Sequence, residues 1–235
     1  MLPLHLVNLH GVSILEQLKW EEALLRADNR NWCLFNYGSP PAIVMGISGQ
    51  FDELIDQRKL RATPLPVIRR FSGGGTVVID PQTIFITFIF NSKTLSIAPF
   101  PLPIMQWTES LYYPLFKHLP FSLRENDYVL AEKKIGGNAQ SITKNRWLHH
   151  SSFLFNFCPR LMDLLFLPSK APLYREKRTH ADFLSHLSLY WPTIHHFRQD
   201  FFTELQNHFR IMSTTHVELE LIAQRPHRQA TTILY

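Results

Sequence analysis

The sequence predicts an α+β fold: one domain with a mostly antiparallel, mixed sheet and helices flanking it. Three observations lead there. A helical stretch follows a first apolar run, a series of short β-branched and aromatic runs fills the middle of the chain, and helical spacing returns near the end. Strands that come in a block, not in alternation with helices, build an antiparallel sheet with helices packed outside it. The chain has 235 residues, 45% of them hydrophobic and 18 of them Phe, enough apolar side chain for a single large core.

Residues 1–9 are apolar, interrupted by His5 and Asn8, and read as a first strand. Residues 16–26 (EQLKWEEALLR) set Leu18, Ala23, Leu24 and Leu25 among charges at near-helical spacing, as in a surface helix. The apolar runs 32–37 and 42–45 flank Gly38-Ser39-Pro40-Pro41 and read as a hairpin. Residues 51–60 suit a short helix, and 65–70 a strand that enters a glycine triplet. Residues 76–80 and 83–91 (TIFITFIFN) are β-branched and aromatic, hence strands. Three prolines make 96–103 a loop, and 105–118 is helical until Pro114 bends or ends it. Short strands are expected at 128–132, 134–136, 138–143 and 147–157. Residues 161–187 are irregular, with a helix over 179–187. In 196–209 (HFRQDFFTELQNHF), Phe197, Phe201, Phe202 and Leu205 form one stripe of an amphipathic helix, and the tail adds a strand.

Composition narrows the function classes. The net charge is +5 and the pI is near 9.3. No run of five basic residues occurs, and the densest cluster, Arg175-Glu176-Lys177-Arg178, contains an acid. That distribution favours a small anion or an acidic protein over nucleic acid. Cys33 and Cys158 make neither a disulfide framework nor a zinc spacing, which points to a reducing compartment. No apolar run approaches the roughly 18 residues of a membrane span, and residues 1–9 lack the basic and cleavage regions of a signal peptide. A cytoplasmic protein with no membrane association is expected.

Five of the nine glycines lie in two short stretches, Arg69-Arg70-Phe71-Ser72-Gly73-Gly74-Gly75-Thr76 and Lys133-Lys134-Ile135-Gly136-Gly137-Asn138-Ala139-Gln140. Glycine lets backbone N–H groups approach a ligand, and the adjacent cations supply charge for an anion. Neither stretch fits the spacing of a nucleotide P-loop or a dinucleotide fingerprint. Adjacent His149 and His150 point to opposite faces of a strand, and without a third ligand they do not make an intrinsic metal site. Arg175, Arg178 and His180 are candidates for contact with a nucleotide or an acidic partner.

Residues 69–80 (RRFSGGGTVVID) resemble the R-R-x-S-G-G-G-x-V-x-H-D signature of lipoate–protein ligases, within the biotin/lipoate ligase-type catalytic domains. KKIGGNAQ is similar to that family's K-I-S-G-x-A segment, Asn126-Asp127 to the N-D before it, Leu148-His149-His150 to L-H-H-G-T, and residues 42–50 (AIVMGISGQ) to an early V-x-I-G-R-x-Q turn. The resemblance spans roughly residues 42–155. It implies one catalytic domain over 1–235 without the accessory C-terminal domain of longer ligases. It also implies a two-step reaction, in which lipoate or octanoate is activated by ATP as acyl-AMP and transferred to a lysine of a lipoyl carrier.

On that likeness Lys134 is the catalytic lysine. Arg70, Ser72, Gly73, Gly74, Gly75, Gly136, Gly137, Asn138, Ala139 and His149 border the acyl-AMP, with His150 at the surface or in the core. Asp80, Asn126, Asp127 and Thr76 are candidates on the nucleotide and Mg2+ side. The implied partners are lipoyl domains of 2-oxoacid dehydrogenase E2 subunits and the glycine-cleavage H protein, with a separate accessory subunit as one possibility.

The chain departs from the pattern. Ile79 stands for the signature histidine, Gln82-Thr83 for Gly-Asn, Ile47 for a basic residue and Ser151-Ser152 for Gly-Thr. A transferase without adenylation and a degenerate acyl binder remain alternatives. The cysteine of related transferases falls near Phe121, where this chain has none.

Overall fold

The computed structural model describes residues 1–167 and 171–235. Its strands are β1 (Leu2–His10), β2 (Trp32–Tyr37), β3 (Ala42–Met45), β4 (Val67–Arg69), β5 (Val77–Ile79), β6 (Thr83–Asn91), β7 (Phe121–Arg124), β8 (Asp127–Leu130), β9 (Lys133–Ile142), β10 (Arg146–Leu154), β11 (Phe209–Ser213) and β12 (Thr232–Ile233). The helices are α1 (Ile14–Ala27), α2 (Phe51–Leu54), α3 (Gln57–Ala62), α4 (Pro101–Tyr112), α5 (Pro159–Met162), α6 (His180–Phe183), α7 (Ile194–His208) and α8 (His216–Ala223). The α+β expectation holds, but the strands divide into two sheets. One runs β11-β1-β2-β6-β10-β9-β8-β7 and the other β12-β4-β3-β5. Pairing is antiparallel except for β1 with β11, β1 with β2, and β3 with β4.

That division corrects the hairpin expected at residues 32–45. Both strands form, yet β2 pairs with β1 and β6 in the large sheet, while β3 pairs with β4 and β5 in the small one. The four-residue connection Gly38-Ser39-Pro40-Pro41 does not close a hairpin, because β2 and β3 find their partners in different sheets. It carries the chain from one sheet to the other instead, with Gly38 at a φ of 76°. The glycines at 136 and 137 do not interrupt pairing either, so β9 is one strand of ten residues.

Several helices are set by their ends. Ser13 caps α1, its hydroxyl accepting from the N–H of Glu16. Pro101 starts α4 where a missing N–H costs nothing, and Pro114 ends it in a turn of 3-10 helix. The segment expected to be helical over 179–187 is helical only at α6, capped by Thr179. Residues 168–170 of the irregular segment lie outside the described residues.

The large sheet buries both faces. On one, β6 and β10 meet α4 and α7 through Phe88, Phe90, Tyr112, Trp147, Phe197 and Phe201. On the other, α1 and α8 cover Trp32, Ile89 and Leu148. The small sheet lies on this second side, where Val44, Ile68 and Ile79 pack against Ile14 and Leu18 of α1. Helix α1 is therefore enclosed, and the surface helix expected there is a core helix. Its polar residues Gln17, Glu21 and Glu22 are buried with it. Burying a carboxylate requires donors, and Glu22 finds them in the N–H groups of Ala230 (2.9 and 3.0 Å) and Thr231 (3.1 Å), the Thr231 hydroxyl (3.1 Å) and Arg26 (3.1 Å).

This clasp holds the tail against α1 and delivers β12 to the edge of β4, pairing Thr232 with Arg69 and Ile233 with Ile68. Glu22→Ala leaves those donors unpaired. It should lower unfolding stability by about 1–3 kcal/mol, measured by urea denaturation. A change within error would show that the tail is not held this way.

Candidate functional site

The two sheets enclose a cavity of about 520 Å³, within the size range of small-molecule sites. The small sheet and its glycine turn roof it with Val44, Arg70, Gly73, Gly74, Gly75, Thr76, Val77 and Val78. The large sheet floors it with Phe85, His150, Ser152, Leu154 and the β9 residues Lys134, Gly137, Asn138, Ala139 and Gln140. Its buried end is mostly apolar, at Val44, Val78, Phe85 and Leu154. Asn126, Lys134, Asn138 and His180 line its accessible side.

The turn exists because two backbones touch. A Cβ on Gly46 would fall 2.1 Å from the carbonyl oxygen of Gly74, and Gly74 itself has a φ of 103°. No other residue type fits at either position. Arg70 fills the loop from inside. It is 2% exposed, and its Nη2 donates to the carbonyls of Gly73 and Gly75 (both 2.8 Å) while its Nε donates to Ser72 Oγ (3.1 Å). Burial lowers its pKa to about 10, against the pull of nearby Glu21. Arg70 thus borders the cavity but directs most of its donors to the turn. Ser72, 1% exposed, serves Arg70 and does not line the cavity. Both placements have one cause: a buried guanidinium must satisfy its N–H groups locally, and this takes Ser72 away from the cavity.

Lys134 reaches the cavity from β9. Its Nζ lies 2.8 Å from Asp127 Oδ1, and Asp127 Oδ2 accepts from the Tyr174 hydroxyl at 2.9 Å. Burial and this carboxylate push the Tyr174 pKa up. A Cβ on Gly137 would come within 3.1 Å of the Lys134 ammonium, so the missing side chain leaves space beside the charge. Gly136 faces away; a Cβ there would strike the Phe153 ring at 2.9 Å, which makes it a packing glycine and not a lining one. Lys133 is exposed.

The expectations for Asp80, His149 and His150 are also corrected. Asp80 lines a separate shallow hollow with Cys158. Its carboxylate accepts from the N–H groups of Gln82 (2.9 Å) and Cys158 (3.1 Å) and from Thr83 Oγ1 (3.3 Å), so it fixes a turn. Ile79, in place of the signature histidine, is fully buried in the core between α1 and the small sheet. His149 and His150 exchange roles. His150 lines the cavity, with Nδ1 3.0 Å from Glu21 Oε2. Glu21 also accepts from Thr87 Oγ1 (2.6 Å) and Gln17 Nε2 (2.8 Å).

His149 is fully buried on the opposite face, among Gln140, Thr108 and Ser151. The run Trp147 to Leu154 carries large or polar residues on both faces, so alternation alone does not say which imidazole faces the cavity.

Arg175 and His180 also line the cavity. Arg175 is 6% exposed, its Nη2 has no hydrogen-bond partner among the described residues, and its guanidinium sits 4.8 Å over the Phe183 ring. Burial lowers its pKa. Burial also lowers that of His180, with Arg175 adding to the effect. Arg178 is directed to backbone carbonyls of Glu132 and Tyr174.

The family model for the lipoyl protein ligase A/B catalytic domain matches residues 13–206. The chain belongs to that family.

Its relatives include an inactive lipoate–protein ligase 2 of Plasmodium falciparum, 26% identical over 246 aligned residues that cover 79% of this chain and 64% of the relative. Another is the lipoate-protein ligase LplJ of Bacillus subtilis, 30% identical over 139 residues, 58% of this chain and 40% of that one. This ligase-family chain thus spans less than two thirds of the length of these relatives. Among solved structures, a bi-partite lipoate protein ligase from Thermoplasma acidophilum superposes with a TM-score of 0.74 at 18% identity, covering 95% of this chain and 91% of that one. A putative lipoate protein ligase from T. acidophilum with bound lipoic acid gives 0.76 at 16% identity, over 95% and 94%. These are likenesses of fold.

The His149 imidazole carries a pH signature. Burial, with His150 beside it, pushes its pKa from 6.5 down to about 3. Above 6.5 it is neutral in both folded and unfolded chains and adds no slope. Between 6.5 and about 3 only the unfolded chain takes up the proton, so stability falls as pH falls, by at most about 1.4 kcal/mol per pH unit from this group. His149→Gln keeps an acceptor and a donor without titrating. Urea unfolding between pH 6.5 and about 4 should show a shallower acid limb for this variant, and an identical slope would mean that His149 is not held neutral.

Proposed function

We propose that this chain activates lipoate or octanoate with ATP as the acyl-AMP and transfers the acyl group to a lysine of a lipoyl domain. One observation carries the reading. Two cations, the Lys134 ammonium and the Arg175 guanidinium, whose Nη2 has no partner among the described residues, border the same cavity as an apolar buried end and the bare backbone of Gly73–Gly75. A medium-chain acid needs the apolar end; the union of two anions needs the cations.

In the first step a carboxylate oxygen attacks the α-phosphorus of ATP, and the bond to pyrophosphate breaks. Fixed positive charge lowers the barrier by cancelling repulsion where charge accumulates. Lys134 and Arg175 have the chemistry for this, and a buried guanidinium nitrogen without a protein acceptor suits a phosphate oxygen. In the second step the neutral amine of the carrier lysine attacks the acyl carbon. The carbon–oxygen bond to AMP breaks with its electron pair leaving on AMP, and the amine's extra proton goes to solvent.

Asp127 is the one carboxylate among the described residues lining the cavity, and both its oxygens already take donors. That donor set suits magnesium arriving on ATP and held mainly by phosphate oxygens and water. The carrier is read as an E2 lipoyl domain or H protein. The bi-partite ligase of T. acidophilum belongs to a lipoylation system together with its E2 lipoyl domain, which supports that class of partner.

A thioester route has little support. The Cys33 thiol is fully buried, which raises its pKa well above the ordinary value, and Cys158 borders the shallow hollow, not the cavity. The deciding experiment is acylation of a lipoyl domain followed by intact mass, with lipoate or octanoate and with or without Mg-ATP. An ATP-dependent mass increase supports the ligase. An increase from supplied acyl-AMP alone means a transferase, and none from either means an acyl binder, the outcome the likeness to an inactive relative would favour.

In the same assay Lys134→Ala should lower acylation at least about 100-fold while circular dichroism stays unchanged. Full activity would remove Lys134 from the mechanism. Cys33→Ser and Cys158→Ser should both acylate at the wild-type rate; a folded but inactive variant of either would revive the thioester.

A further inference from the structure

Residues 174–178 (YREKR) build a mount for one guanidinium out of another. Glu176 and Lys177 both adopt left-handed backbone, at φ of 51° and 61°, which costs free energy for any residue with a side chain. Such a conformation persists only where its surroundings enforce it, and here two arginines do so. Arg175 Nε donates to the Arg178 carbonyl at 3.1 Å, and Arg178 Nε donates to the Arg175 carbonyl, also at 3.1 Å. Arg178 reaches two further carbonyls, those of Glu132 (2.9 Å) and Tyr174. The left-handed pair thus bends the chain until each guanidinium grips the other's backbone.

A ring completes the mount. Phe183 is 2% exposed, and both guanidinia lie over it, Arg175 at 4.8 Å and Arg178 at 5.3 Å from its centroid. An aromatic face attracts a cation and sets the plane of a guanidinium. For Arg175 the arrangement leaves a remainder. Its Nε is taken by Arg178, its Nη2 is buried without a partner, and its Nη1 has no acceptor among the described residues. Arg175 lines the cavity together with Asp127, His180 and Phe183. The segment steadies the other cation too, since the Tyr174 hydroxyl donates to the carboxylate that pairs with Lys134.

We infer that Arg178 and Phe183 are positioning residues for Arg175. They occupy its Nε and fix its plane, which leaves the Nη1–Nη2 edge as a two-pronged donor to phosphate oxygens of the ligand. This rests on the acyl-adenylate reading, in which that anion is the adenylate phosphate.

The test is a double-mutant cycle on binding of octanoyl-sulfamoyl adenosine, a non-hydrolysable stand-in for acyl-AMP, by calorimetry, with melting temperature recorded for each variant. Arg175→Ala should weaken binding roughly tenfold or more. Phe183→Leu keeps an apolar side chain but removes the ring, and should weaken it about fivefold. The double variant should bind no worse than Arg175→Ala, because Phe183 acts only through Arg175. Losses that multiply, or Phe183→Leu binding like wild type, would overturn the proposal.

The Arg175 Nε–H group gives a spectroscopic readout. Its proton resonance, assigned by its loss in Arg175→Lys, should be shifted upfield by the ring in the wild type and return downfield in Phe183→Leu; an unmoved resonance also overturns it. Should Phe183→Leu not fold, Arg178→Lys keeps the charge but cannot reach three carbonyls at once, and it carries the same cycle. No binding by the wild type would sink the functional reading and this proposal with it. Wild-type binding that Arg175→Ala leaves unchanged, or an additive cycle, sinks this proposal alone.

Discussion

A guanidinium held almost out of water must find acceptors or forfeit several favourable contacts at once, and most of the cavity roof is arranged to meet that demand. Arg70 takes the carbonyls of Gly73 and Gly75 and the hydroxyl of Ser72. Those carbonyls can turn inward only if the loop passes through a positive φ at Gly74 and presses its backbone against Gly46. The glycine triplet that reads as an anion loop therefore has a prior duty. It wraps a cation, and the N–H groups it offers the cavity are those left after the carbonyls have been engaged.

The floor answers to a different constraint. Strand β9 gives alternate side chains to opposite faces, and here both faces are polar. Lys134, Gly137 and Ala139 border the cavity, while Gln140 reaches His149 beneath it. Two buried networks thus lie back to back across one sheet. Glu21 holds His150 on the cavity side, and Ser151 and His149 stand behind. Each of these groups has its hydrogen-bond partner, as burial in low dielectric requires.

Much of this was legible in the sequence. The strands at 32–37, 42–45 and 83–91 and the stripe Phe197, Phe201 and Leu205 follow from local side-chain pattern, and the structure forms them where that pattern lies. Lys134, Gly73–Gly75, Asn138 and Ala139 all reach the cavity, as their motifs imply. What failed was non-local. Whether Gly38–Pro41 closes a hairpin or crosses between sheets depends on partners far along the chain. Which of two adjacent histidines faces a ligand depends on register, and an Arg or Asp beside a glycine motif reads the same whether it holds ligand or backbone. Ser72, Asp80 and His149 lie off the cavity, and Arg70 borders it while directing most of its donors to the turn, structural work that spacing does not reveal.

The clasp made by Glu22 also orders events in time. Strand β4 feeds directly into the Arg70 turn, and its outer edge is covered by β12, whose residues are joined to it only after nearly all the intervening chain has been laid down. Pairing across such a sequence separation forms late, since the loop-closure entropy of everything between must be met first. During synthesis the floor of the cavity, built from the consecutive strands β8, β9 and β10, is available while the roof still has an open edge. The cavity is finished last at its roof, so a nascent chain should present a ready-made sheet to solvent well before it has anything to close over it.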